Sequence, residues 1–261
     1  MSVITVTPTV ELSNVPPRVR LNVADTGTPA FTSTTITRLN PDGTTSPVRT
    51  TDGGPVPISG GIGLVYDYEA PYGQAVTYSS VETPANVTAP VTLSATRPWL
   101  IHPGVPSLSR QIMFGRGSFA TRTRPAKKAV YWPMGRSTPV TIGDGARKSV
   151  QSQLVLQVTT QGELVGLQSL FADASVLLLN IPAGLGYNFS TCYVDCGDTE
   201  EAFASPVLTE TYATVSMPFT VVARPAGGTQ SQRTLADLLV YPTITALNAQ
   251  YANLAAVLAG P

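Results

Sequence analysis

Across 261 residues the chain is 43% hydrophobic and only 12% charged, with 23 Pro and 22 Gly, and its 16 Lys plus Arg balance 16 Asp plus Glu. That composition favours packed strands and turns, in a length that allows one large or two ordinary domains. No apolar run reaches the roughly 18 to 20 residues a membrane span needs, and the opening residues lack the basic-then-apolar pattern of a secretory leader.

The neutral total hides an uneven distribution. Residues 1 to 96 hold 4 basic and 7 acidic residues, residues 152 to 261 hold 2 and 8, and residues 97 to 151 hold 10 basic residues against Asp144 alone. A net charge of +9 in the middle of the chain therefore lies between two acidic flanks.

From Ile4 to about Ala95 the chain reads as short alternating runs separated by turn residues. ITVTPTVEL and Val19 to Val23 are predicted strands; TTITRLN and TTSPVRTT form a predicted hairpin around Pro41-Asp42-Gly43, where glycine supplies the positive φ of a tight turn. IGLVYDYE and QAVTYSSVE follow, joined by Ala70-Pro71-Tyr72-Gly73, and a last run spans Asn86 to Ser94. About seven short strands at this spacing predict a mainly β fold beginning with an immunoglobulin- or fibronectin III-like β-sandwich over 1–95, with Tyr66, Tyr68 and Tyr78 in its core or at its edges.

The proline-dense stretch from Arg97-Pro98 to Val105-Pro106 marks a boundary. A second β domain is expected over 96–226. In it SLSRQIMFGRGSF, AVYWPM and TPVTI read as strands between Gly-rich and basic loops. SVQSQLVLQVTT alternates, QGELVGLQSLFAD has helical spacing near 161–172, and SVLLLNIP returns as a strand. Leu164, Leu167, Leu170 and Phe171 fall on one helix face, and Thr160 with Glu163 fits a capping box. Tyr193 to Val194, Thr211 to Ser216 and Phe219 to Ala223 complete the predicted strands, with GDTEEAFASP as a polar loop. Residues 227–261 read as a linker and a C-terminal helical extension, in which Leu247, Tyr251, Leu254 and Leu258 form one apolar stripe. That stripe either folds back on its own domain or docks on a neighbouring subunit.

The chemistry of catalysis is sparse. One histidine, His102, is followed by proline and reads as a packed or turn residue; the adjacent Glu200 and Glu201 read as solvated charge. No nucleophile elbow, metalloprotease helix or phosphate-cradling loop occurs, so the expectation is a non-enzyme without cofactor or metal. Cys192 and Cys196 sit four apart on a predicted strand, roughly 13 Å, whereas disulfide Cα atoms lie about 4.4 to 6.8 Å apart; free thiols are expected. Arg116, Arg122, Arg124, Lys127 and Lys128 interleave with Phe114, Phe119, Tyr131 and Trp132, a mixture compatible with a nucleic-acid surface. The favoured reading is pairing within the molecule or with a copy of it, because acidic segments flank the basic one.

In RPWLIHPGVPSLS, QLVLQVTTQGELVGLQSLFADASVLLLNIPAGLGYN and VSMPFTVVARPAGG the order of features resembles minor tail proteins of long-tailed bacteriophages, of the type related to distal tail proteins. Many of those proteins carry repeated Trp-Ala-Asp-Leu units at the C-terminus; Leu235-Ala236-Asp237-Leu238 departs from that at its first position. The resemblance implies a second, distal-tail-like β-sandwich with one inserted helix. It also implies a virion tail component at the tip or baseplate, assembled in the host bacterial cytoplasm as a hexameric or trimeric ring and contacting other tail proteins. The candidate subunit interface is Arg116, Arg122, Arg124, Lys127 and Lys128 together with Leu247, Tyr251, Leu254 and Leu258. The alternative is a carbohydrate- or cell-wall-binding adhesin in which residues 1–95 face a host-surface glycan.

Overall fold

The computed structural model describes residues 3–27, 30–203 and 212–228, apart from the side chain of Asp144. The expected C-terminal helix, with Leu247, Tyr251, Leu254 and Leu258, lies outside the described residues. Within them the protein is mainly β, with several sheets and one α-helix.

Strands β1 (Ile4–Glu11), β2 (Arg18–Asp25), β3 (Ser33–Thr34), β4 (Ile36–Leu39), β5 (Thr45–Pro47), β6 (Val56–Pro57), β7 (Ile62–Asp67), β8 (Ala75–Ser80) and β9 (Val91–Thr92) build the first part. They form a sheet β1-β2-β7, a sheet β5-β4-β8-β9 and a small β3-β6 pair. Alternation decides what each strand buries. Val19, Leu21 and Val23 of β2 face a core that also takes Ile4, Ile36, Val76 and Tyr78, so the two larger sheets share one apolar interior. The β4–β5 hairpin turns through Gly43 at φ +82°, as Asp-Gly predicts. By contrast β7 and β8, adjacent in sequence, do not pair with each other: β7 adds to β2 and β8 to β4, so Ala70 to Gly73 carries the chain from one sheet to the other. Tyr78 lies in the core, while Tyr66 and Tyr68 form a separate buried cluster with Leu64 on the opposite face. There the Arg18 guanidinium sits 3.8 Å from the Tyr66 ring centroid, bonded to Glu11 at 2.6 Å and to the Tyr68 hydroxyl at 3.0 Å.

The second part contains β10 (Trp99–Ile101), β11 (Arg110–Gln111), β12 (Ala126–Tyr131), β13 (Val140–Arg147), β14 (Gln151–Val158), the helix α1 (Gln161–Asp173), β15 (Val176–Asn180), β16 (Cys192–Cys196), β17 (Glu200–Phe203) and β18 (Ala213–Val222). The main sheet runs β11-β10-β15-β16-β18-β14, with β17 also on β18. Trp-Leu-Ile and Val-Leu-Leu-Leu are unbroken apolar runs because β10 and β15 are buried on both faces. Trp99, Ile101 and Leu178 point into the first core, and Leu100, Leu177 and Leu179 into a second one. Helix α1 covers that second core with Leu164, Leu167 and Leu170, and Phe171 packs at its margin. Its N-terminus has the full capping box: Thr160 Oγ1 accepts the N–H of Glu163, and the Glu163 carboxylate accepts the N–H of Thr160.

Several predicted boundaries move: of SLSRQIMFGRGSF only Arg110–Gln111 is strand, and of the run from Asn86 to Ser94 only Val91–Thr92. The run expected to break at Met217-Pro218 is one strand, β18. Antiparallel residues aim N–H and C=O to the same side, and the Pro218 carbonyl accepts the Gly197 N–H at 2.8 Å, in the gap between β17 and β16. The donor that proline lacks therefore faces that gap and not the ladder to β14. The segment expected as a polar loop contains a strand, β17, paired with Ala213 to Ser216 of β18.

Several buried polar side chains near the junction of the two cores are hydrogen-bonded. Asn180 donates to the Ala70 carbonyl at 2.8 Å and accepts the Tyr72 N–H at 3.1 Å. Asp67 takes Arg38 through both oxygens, at 2.9 and 2.7 Å, and the Tyr78 hydroxyl at 3.0 Å. Burial works against the Arg38 charge, yet Asp67 beside it holds the guanidinium above its ordinary pKa.

Candidate functional site: a cationic groove at the foot of a β-arm

Ala126 to Arg147 leave the main sheet as a two-stranded arm, β12 against β13, with a register shift between Ala126 and Lys128. Buried β-structure normally covers one face, but every residue of β12 is exposed. Tyr131 is 60% exposed, Trp132 63%, Met134 100% and Ile142 64%. Lys127 and Lys128 are exposed on β12 at the register shift.

At its foot the arm is tied to the sheet by a bridge between Thr123 and Gln151 and by the Lys148 N–H on the Pro125 carbonyl at 2.8 Å. Just below, Phe119 has φ +59°, a region that bulky side chains rarely occupy. An aromatic cluster holds it there: its ring stacks on Phe189 at 4.7 Å and meets Phe114 and Phe219 edge-on at 5.0 and 5.9 Å. Arg122 extends from this cluster, with its guanidinium 4.9 Å from the Phe189 centroid and donating to the Asn188 carbonyl.

Arg122, Arg124 and Arg147 thereby converge on a groove of about 910 Å³, walled by Tyr187 and Phe189. Arg147 donates to the Arg124 carbonyl at 3.4 Å, which brings the two strand ends together. Among the described residues, no carboxylate lies within ion-pair distance of these three arginines, nor of Arg116, Lys127 or Lys128. Among the described residues the ion pairs of arginine belong to Arg18, Arg20, Arg38, Arg49 and Arg224. The basic segment is not neutralised by the described part of its own chain.

Of the residues the sequence singled out, Arg122 and Arg124 line the groove, Lys127 and Lys128 lie on the arm, and Arg116 stands apart in the exposed turn after Gly115. Arg147, Tyr187 and Phe189 complete the groove from distant positions. The excess of positive charge over residues 97 to 151 includes Arg147, but only pairing of β12 with β13 shows that it meets Arg124.

His102 is a turn residue. Its Nδ1 accepts the N–H groups of Gly104 and Val105 at 3.0 and 2.7 Å, and its Nε2 lies 2.9 Å from Asp173 Oδ2 at the end of α1. The turn thus holds the ring through Nδ1, with Nε2 beside the end of the helix. Glu200 and Glu201 lie elsewhere, on β17, where Glu201 accepts the Gln168 amide at 2.9 Å. Cys192 and Cys196 are free thiols at the two ends of β16, and burial pushes both up to about 12. Among the described residues, no group of three or more His, Cys, Asp and Glu side chains could hold a metal ion, and no helix is long and apolar enough to cross a membrane.

Compared with known proteins, the chain matches no family model and no curated protein.

Proposed function

We propose that the chain is a structural subunit that assembles with copies of itself, in the tail of a long-tailed bacteriophage near its tip or baseplate. The observation that carries this reading is the arm: an exposed hairpin with Tyr131, Trp132 and Ile142 in solvent and basic residues without a carboxylate partner among the described residues. An isolated two-stranded hairpin is marginal in water, so a second surface is its natural complement. The virion setting rests on the resemblance of the Arg97–Ser109, Gln153–Asn188 and Val215–Gly228 stretches to distal-tail-type proteins. On this reading the first two sheets are an immunoglobulin- or fibronectin III-like sandwich, the second part is a distal-tail-like sandwich, and the copies close into a ring that joins tail tube to tip proteins.

The test is native mass spectrometry of the full chain across concentration, beside a variant with residues 132–139 replaced by Asn-Gly. A discrete oligomer that falls to monomer in the variant is the expected result. A wild-type chain that stays monomeric at every concentration overturns the reading. Glycan binding is the competing function, but Tyr66, Tyr68, Tyr72 and Tyr78 are all buried and offer no ring face to a sugar.

A further inference from the structure

Strand β18, itself uncharged, runs between two groups of opposite charge. Near Val221 it borders the groove of Arg122, Arg124 and Arg147. At Ala213 to Ser216 it carries β17, with Glu200, Glu201 and the nearby Asp198 on or beside that strand. Ser216, opposite Glu200, and Val221, beside the groove, are five residues apart on the strand, about 17 Å. Among the described residues no ion pair joins the two groups within one copy.

We propose that the arginine groove is the seat for the acidic β17 edge of a second copy of this chain. The proposal rests on the self-assembly reading above and names the surfaces that meet. Guanidinium groups pair with carboxylates through two parallel N–H donors, and three arginines without an acid of their own in the described chain can receive two or three carboxylates. The β17 edge also offers Phe203, 55% exposed, to a groove walled by Tyr187 and Phe189. Contact between two different faces is heterologous, so it propagates from copy to copy and closes a ring when the rotation permits. A nucleic-acid backbone is the lesser candidate for the groove, because the chain has no net charge and β17 brings carboxylates to the same sheet.

The test is a charge swap in the full chain, read by native mass spectrometry and sedimentation at low salt, with circular dichroism and melting temperature as controls for folding. R122E/R124E/R147E and, separately, D198K/E200K/E201K should each weaken self-association about tenfold or more. A chain carrying all six changes should regain it, because every contact is complementary again. If the arginine variant assembles as the wild type does, the inference fails and the arm reading stands. If the wild type itself is monomeric, the reading of a self-assembling subunit fails first. Tight binding of a 20-nucleotide single strand, lost in the arginine variant while assembly persists, would assign the groove to nucleic acid and overturn the proposal.

Discussion

Arg224 closes on Glu69, 155 residues earlier in the chain, with two donors at 2.8 and 2.5 Å from one carboxylate oxygen. The other oxygen is already held by Arg49 at 2.8 Å, and Arg49 also donates to the carbonyls of Pro225 and Gly227. Glycine is required beside this knot: a Cβ at Gly228 would run into the Thr51 carbonyl. Burial opposes the Arg224 charge, but Glu69 and Tyr193 raise its pKa above the ordinary value.

Removing Glu69 would therefore leave Arg49 buried without its carboxylate. Glu69→Ala is expected to cost about 3–5 kcal/mol, the usual penalty for orphaning one side of a buried pair. Arg224→Ala should cost less, since its side chain is 26% exposed against 4% for Glu69. Urea denaturation gives both values, and a loss below about 1 kcal/mol for Glu69→Ala would contradict the account.

The start of α1 gives a pH-dependent prediction. The Thr159 N–H, aided by its hydroxyl and by the Thr160 N–H, holds the Glu163 carboxyl below its ordinary value. A depressed folded pKa stabilises the protein above the unfolded value and is lost as pH falls through the folded one. Glu163→Ala should lower stability by about 1 kcal/mol, or Tm by about 2–4 °C, at pH 7. The gap between wild type and variant should shrink below about pH 4; a gap that stays constant from pH 7 to 3 would count against the capping role.

Both thiols should be slow. With Cys192 and Cys196 pushed up to about 12 by burial, and spread along one strand, neither forms the reactive thiolate readily near neutral pH. DTNB at pH 8 should label the native protein far more slowly than the protein in guanidinium, where both react together. A reductant should leave Tm unchanged.

Pro218 separates two kinds of strand position. Pro218→Thr adds an N–H toward the gap between β16 and β17, and the expected cost is within about 1 kcal/mol, chiefly through the unfolded chain. Ser216→Pro removes a donor on the side where β17 pairs, and should cost at least about 1 kcal/mol more. Thermal denaturation of the two variants decides whether the gap is what makes proline tolerable.

Local signals in the sequence carried furthest where the structure is local. Thr160 and Glu163 fixed the start of α1, Asp42-Gly43 the β4–β5 turn, and the spacing of the two cysteines their separation along β16. Pairing between distant segments left no such signal. The Glu200 stretch is polar enough to read as a loop, and it becomes a strand because β18 offers it an edge. Proline at 218 read as a break because the sequence does not show which side of the strand it faces. The candidate site was half legible: Arg122 and Arg124 stood out by charge, whereas Arg147 and the aromatic wall reach them only through the hairpin and the main sheet.

The double burial of β10 and β15 has a consequence for anyone dividing this chain. A fragment ending at residue 95 would take away Trp99, Ile101 and Leu178 and open the floor of its own interior, while the remainder would expose those same side chains to water. The two interiors share a wall, so heat or denaturant should melt them in a single step, and a strain on either one is felt by the other.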